Sequence, residues 1–348
     1  MAETTLDKQQ ETAASSSSPV AKPKLGFLGV GWIGRNRMEM IARKGAGEVT
    51  YIADTAVQNA EEALKSAPQA TQVHSLEAML QEAAVDGIVI ATPSAFHAEQ
   101  SELALEAGKA VFCQKPLGRN TEETKRVVEA ARRNNKLLGV DLSYRYTQAM
   151  QQVYNVVQSG ELGHVYAIEL VFHNAYGPDK AWFYEPKLSG GGCVIDLGVH
   201  LVDLALWAMN FPKLKQVQSQ LFSKGKPIGM AEGKVEDYAT ASISLDGNTH
   251  VQLSCSWNLP AGQEAIISAT FYGTEGGVAM KNVNGSFYDF VAERYHGTRT
   301  EVLCGAPDEW SGRAGVAWAE RLAKGEGFHE EAEEFVKVAQ VLDKIYGR

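Results

Sequence analysis

The chain changes its hydrophobic rhythm near residue 145. Before that point, short apolar runs alternate with stretches whose apolar residues recur at helical spacing. The runs are LGFLG (25–29), VTYIAD (49–54), GIVIAT (87–92), AVFC (110–113) and LLGVDL (137–142). Runs this short and this apolar predict strands covered on both faces, as in a parallel sheet. Between them, Ile33, Met40 and Ile41, then Val57, Ala60 and Leu64, then Val127, Val128 and Ala131 fall on single helical faces. Ser75 caps a short helix bearing Leu76, Met79 and Leu80. A helix through 99–107 stops at Gly108, and Asn120 with Glu123 three residues on opens the next. Strands and helices in this alternation predict right-handed βαβ units and a doubly wound parallel sheet of Rossmann type.

Past residue 145, a helix carrying Met150, Val153, Tyr154 and Val157 ends at Gly160. Strand-like runs follow at 165–172, 217–222, 238–245, 250–257 and 265–272, with Asp246-Gly247-Asn248 as a turn between two of them. Residues 330–346 read as a closing helix. This part is therefore expected to be α+β, with a mainly antiparallel open sheet. Three regions result: a flexible Ser-rich tail (1–23), an α/β domain (24–145) and a second domain (146–348).

Composition narrows the class. Of 348 residues, 45% are hydrophobic, and 33 Lys+Arg against 42 Asp+Glu leave a net charge of −9. An acidic whole argues against general binding to a phosphate backbone, so no nucleic-acid partner is expected. No window reaches the ~20 consecutive apolar residues of a membrane span, and the opening MAETTLDKQQ lacks the basic and apolar segments of a secretory signal. Cys113, Cys193, Cys255 and Cys304 show neither CxxC nor zinc spacing. They read as reduced thiols of a cytoplasmic protein, with no metal site.

Gly29-Val30-Gly31-Trp32-Ile33-Gly34 fits GxGxxG. It follows an apolar strand, opens a helix and has Asp54 at the end of the next strand, the context that makes the pattern a dinucleotide site. Gly29 permits the tight turn, Gly31 lets backbone approach a pyrophosphate, and Gly34 lets helix and strand pack closely. Backbone N–H groups at the helix start hold the phosphates. Asp54 suits ribose hydroxyls and repels a 2′-phosphate. Thr55 and Ala56 follow it, so NAD is expected over NADP.

Two further stretches carry chemistry. In Cys113-Gln114-Lys115-Pro116 a lysine directly follows a buried strand. In the run from Gly190 to His200, three glycines lead into a helical stretch on which Asp196, His200, Asp203 and Trp207 share a face. Such a stripe also suits a solvated helix face. The neighbouring glycines, expected where backbone approaches a ligand, favour a site.

Together with Thr92-Pro93-Ser94-Ala95-Phe96-His97 and the segment ALEAGK, these ordered motifs resemble the glucose–fructose oxidoreductase and inositol dehydrogenase (Gfo/Idh/MocA) family, from about Lys24 to the end of the chain. The resemblance implies a Rossmann domain, a C-terminal domain whose open sheet faces a partner subunit, and NAD(P)-dependent redox chemistry on a sugar or cyclitol hydroxyl. It makes Lys115 the catalytic lysine, Asp196 the substrate-positioning carboxylate and His200 the acid/base histidine. It sets Thr92, Pro93, His97 and Gln114 along the cofactor. Gln114 departs from the commoner glutamate, removing a charge beside Lys115.

The residues agree with that chemistry. Oxidising a secondary carbinol needs a base for the hydroxyl proton, which a neutral imidazole supplies. An ammonium held on the same oxygen stabilises the developing alkoxide by ~3 kcal/mol. Arg145, Tyr176 and Trp182 are further substrate-side candidates, with Arg145 equally suited to an interdomain ion pair. The expected partner is a small carbohydrate or polyol, in a homodimer or homotetramer. A redox-neutral glycosidase or lyase working through transient oxidation would use the same residues.

Overall fold

The computed structural model describes residues 21–229 and 233–348. All but the last three residues of the expected tail lie outside that range. The first half folds as β1 (Lys24–Leu28), α1 (Trp32–Lys44), β2 (Glu48–Ala53), α2 (Val57–Ser66), β3 (Thr71–Gln72), α3 (Leu76–Leu80), β4 (Gly87–Ile90), α4 (Ser94–Glu106), β5 (Ala110–Cys113), α5 (Thr121–Arg133) and β6 (Leu138–Val140). Its six strands are parallel in the order β3-β2-β1-β4-β5-β6. The order reverses between β1 and β4, the position at which open α/β sheets bind ligands beyond their carboxyl ends. β4 and β5 are buried throughout, which is why they read as unbroken apolar runs. Ser75 Oγ accepts from the Ala78 N–H at 3.2 Å, and Asn120 Oδ1 from the Glu123 N–H at 2.9 Å. Both expected caps are in place.

The second half contains α6 (Gln148–Ser159), β7 (Val165–Asn174), α7 (Pro186–Ser189), a π-type turn (Val194–Gly198), α8 (Val199–Ala208), β8 (Leu214–Ser223), β9 (Lys226–Pro227), β10 (Tyr238–Leu245), β11 (Thr249–Ser256), β12 (Ala265–Gly273), β13 (Gly277–Asn282), β14 (Phe290–His296), β15 (Arg299–Cys304), α9 (Arg313–Ala323) and α10 (Glu333–Tyr346). Its nine strands run β15-β14-β13-β12-β7-β11-β10-β8-β9, antiparallel except where β11 meets β7. One sheet face packs on α6 and α8. The other presents Glu169, Gln252 and Tyr272. The stretch Pro186–Ala208 is apolar enough to cross a membrane, but 89% of its most apolar window is buried. The interior accounts for its composition.

Two late helices return toward the first sheet. Trp318 of α9 is 4% exposed and packs against Phe112, with ring centroids 5.7 Å apart. A Cβ at Gly87 or Gly139 would lie 2.8 Å from its indole. α10 lies against α5, α8 and β8. Residues beyond 146 thus pack against both sheets and their helices.

Candidate active site

The dinucleotide end is built by packing constraints. Gly29 has φ +81° and donates its N–H to the Ala53 carbonyl at 2.8 Å; a Cβ there would meet the Ala91 carbonyl oxygen at 2.6 Å. A Cβ on Gly34 would sit 2.0 Å from the Gly29 oxygen, so α1 crosses the turn closer than any side chain allows. Over Gly31 only the Asn59 amide comes near, at 3.7 Å, and no side chain caps the first turn of α1. Its first-turn N–H groups thus receive no side-chain cap, as a pyrophosphate site requires. Trp32 is 63% exposed and Ile33 half-buried beside them. Asp54, just past β2, reaches back to this turn: Oδ2 accepts from the Val30 N–H at 2.8 Å, while Oδ1 accepts from the Ala56 N–H at 2.8 Å and from Asn59 at 3.2 Å.

The β4 and β5 ends are tied together by His97. Its ring nitrogens lie 2.7 Å from the Thr92 and Pro116 carbonyl oxygens. Burial holds its pKa below the usual imidazole range against those two contacts and a Glu123 charge. His97 therefore fixes the Lys115-Pro116 turn to Pro93 and the start of α4. Thr92 Oγ1 donates to Gln100 at 2.6 Å.

Lys115 bridges the two sheets. Its Nζ donates to Asp196 Oδ1 at 2.6 Å and to the Asp196 carbonyl oxygen at 2.7 Å. The two side chains retain 18% and 15% exposure, so the pair is reachable from solvent. The other carboxylate oxygen accepts from Trp257 Nε1 at 3.1 Å. Asp196 is presented by the π-type turn, a form of helix distortion that recurs at functional sites.

That turn is clamped from below. The Gly192 and Val194 N–H groups donate to the Glu236 carboxylate, as does the Tyr346 hydroxyl at 2.8 Å. Tyr346 in turn accepts from the Ile195 N–H at 3.1 Å. The glycine run is accordingly not an opening for a ligand, contrary to expectation. A Cβ at Gly191 would meet the Tyr346 hydroxyl at 2.1 Å, and one at Gly192 the Glu236 carbonyl oxygen at 1.9 Å. These glycines make room for the clamp.

Of the residues expected on one helical stripe, Asp196 meets Lys115, and His200, Asp203 and Trp207 all meet the Tyr144-Arg145 segment. His200 is 8% exposed and packs on Tyr144 with ring centroids 4.8 Å apart; its Nδ1 is buried without a hydrogen-bond partner. Burial first, then the Lys115 and Arg37 charges, push its pKa well below the usual imidazole range, leaving a neutral ring near pH 7. Asp203 receives Arg145 through two bonds of 2.8 and 2.5 Å, and Arg145 also reaches Glu334 at 3.1 Å. The Arg145 guanidinium is thus committed to ion pairs. Trp207 stacks on Tyr154 at 4.1 Å. Of the loop aromatics, Phe183 and Tyr184 meet the Trp257 ring edge-on, and Trp182 stacks on Phe183 at 3.8 Å, one layer further from Asp196. Tyr176 is exposed and its hydroxyl donates to Glu264 at 3.0 Å, while its carbonyl oxygen accepts from the Asn258 N–H beside Trp257.

Trp257, Glu236 and Tyr346 are absent from the sequence-based site. Each lies at least 40 residues from Asp196 in the chain, with no local pattern to flag it. Among the described residues, no group of three or more His, Cys, Asp or Glu could hold a metal ion.

Known proteins match both halves. An oxidoreductase-family model with an NAD-binding Rossmann fold covers residues 24–142, and a GFO/IDH/MocA C-terminal domain model covers 150–279. The chain belongs to the Gfo/Idh/MocA family of oxidoreductases. It is 27% identical to a D-glucoside 3-dehydrogenase of Escherichia coli (strain K12) over 77% of this chain and 79% of that one. It is 26% identical to a 1,5-anhydro-D-fructose reductase of Ensifer adhaerens over 74% and 75%. Its fold is that of a levoglucosan dehydrogenase solved with NADH and levoglucosan, with TM-score 0.80, 20% identity and coverage of 93% of this chain and 96% of that one. A GenD2 structure from gentamicin A biosynthesis, solved with NAD, gives 0.79 at 22% identity, covering 97% and 96%. The protein is an enzyme of an NAD(P)-dependent sugar and cyclitol oxidoreductase family, with an NAD-binding Rossmann domain.

Proposed function

We propose that this enzyme moves a hydride between NAD and one secondary hydroxyl of a sugar, cyclitol or glycoside, with Lys115, Asp196 and His200 as its catalytic set. The observation that carries this reading is the Lys115–Asp196 pair, which joins the carboxyl end of β5 to the π-type turn of the second sheet. Gly29, Gly31, Trp32, Ile33, Gly34 and Asp54 hold the adenosine and pyrophosphate end; Thr92, Pro93, His97 and Gln114 line the way to Lys115. Bound there, NAD would supply the hydride acceptor for a carbinol, or NADH the donor for a carbonyl. Neutral His200 accepts the hydroxyl proton, and the Lys115 ammonium stabilises the oxygen as negative charge builds there. Asp196, held by Trp257, keeps Lys115 in place and offers an acceptor to a neighbouring hydroxyl. Trp182 and Phe183 supply an aromatic wall suited to the C–H face of a ring.

Net oxidation or reduction is favoured over a redox-neutral elimination, because the similar proteins named above are dehydrogenases and reductases. NAD is favoured over NADP by Asp54. The antiparallel sheet leaves one face for a second copy of the chain, giving a homo-oligomer, and four unpaired cysteines suit the cytoplasm. Incubation with NAD and a panel of sugars, inositols and glycosides, followed by NADH absorbance, tests the reading. Turnover with at least one of them is expected; NAD binding with no NADH formed from any class would refute it.

A further inference from the structure

Next to Lys115 lies a buried polar network that the mechanism above does not use. Asp141, just past β6, is 1% exposed. Its Oδ2 accepts from Arg37 Nε at 2.6 Å and from Gln114 Nε2, while its Oδ1 is buried without a partner. Arg37 is 6% exposed and braced on α1 and the segment before α9 by Asn36 at 2.7 Å and Ser311 at 2.9 Å. A guanidinium has donors only, so Oδ2 is an acceptor, and an amide can meet it only with its NH2 group. The Gln114 carbonyl oxygen therefore faces away from Asp141. No described residue donates to it, and Gln114 is only half-buried.

A buried ion pair of this kind returns little net stability once desolvation is counted. Its consequence here is orientation. We propose that Asp141 and Arg37 are positioning residues that lock the Gln114 amide, so that a neutral oxygen acceptor faces a hydroxyl of the dinucleotide ribose beside Lys115. The proposal rests on the dinucleotide site of the function proposed above. It gives position 114 one defined polarity: swapping amide and carboxylate between 114 and 141 preserves the pairing, whereas placing carboxylates at both destroys it.

The test is NAD affinity without substrate, by isothermal titration, together with the thermal midpoint of each protein. Gln114→Glu sets two carboxylates face to face and is expected to weaken NAD binding about tenfold or more and to lower the midpoint. Gln114→Glu combined with Asp141→Asn restores an amide–carboxylate pair, with Arg37 now facing the amide introduced at 141. Its affinity is expected within about threefold of the unaltered chain, with the midpoint above that of Gln114→Glu alone. Asp141→Asn alone, whose amide can turn either way, should fall between the two. A double variant no better than Gln114→Glu, or a Gln114→Glu protein unchanged in both readouts, would overturn the proposal. Absence of NAD binding by the unaltered chain would instead remove the function reading and this proposal with it; binding without rescue removes the proposal alone.

Discussion

His200 combines burial, two nearby cations and a ring nitrogen with no partner. Each feature disfavours the imidazolium, so the ring stays neutral well below the ordinary value of about 6.5. A base that must be neutral loses function as pH falls through its own pKa. The acidic limb of kcat/KM is therefore expected well below the ordinary imidazole range, and His200→Ala should abolish it. An acidic limb that survives the substitution would return His200 to a packing role against Tyr144. Asp54 makes the second prediction at this scale. Its carboxylate already accepts from Val30, Ala56 and Asn59, and a 2′-phosphate brought beside it meets like charge with Thr55 and Ala56 where a compensating arginine would stand. NAD should bind at least ~10-fold tighter than NADP, measured by titrating both; equal affinity contradicts the assignment.

Among the elements, those with strong local signals were legible in the chain. β4 and β5 are unbroken apolar runs, α3 and α5 carry their caps, and β10 follows its alternation from Tyr238 to Leu245. α9 went unread because it starts from Gly312 without a capping side chain. β15 went unread because its outer residues are exposed and carry little apolar pattern. At the proposed site, Lys115, Asp196 and His200 were legible from motifs, and on the stripe from Asp196 to Trp207 the last three residues meet the Tyr144-Arg145 segment while Asp196 meets Lys115 and Trp257. The π-type turn shifts the phase after Asp196, and buried partners from four other segments take the side chains. The Glu236–Tyr346 clamp that sets this turn depends on contacts 42 to 151 residues apart, beyond any periodicity. Tyr346→Phe removes a donor to a buried carboxylate and an acceptor for the Ile195 N–H, a loss of ~1–3 kcal/mol. The expected result is a lower unfolding midpoint and a reduced kcat with NAD affinity unchanged within a few-fold. Unaltered stability would show that the clamp does not hold the turn.

At the scale of the whole molecule, the proposed site lies where the two sheets meet. Lys115 comes from the first and Asp196 and His200 from the second, and α9 and α10 reach the first half through Trp318 on Phe112 and Asp343 on the Thr121 N–H. The uncovered face of the nine-stranded sheet predicts a mass of two or four chains by light scattering at micromolar concentration; a monomer would contradict it. The central claim is that Lys115 and His200, from opposite halves, serve one substrate hydroxyl. Lys115→Ala and His200→Ala should each lower kcat by ~100-fold or more. Groups that stabilise one transition state are not independent. The most direct test is the kcat of the double variant, measured beside both single variants on the same substrate: a loss far smaller than the product of the single losses is expected, and losses that multiply would contradict a shared hydroxyl.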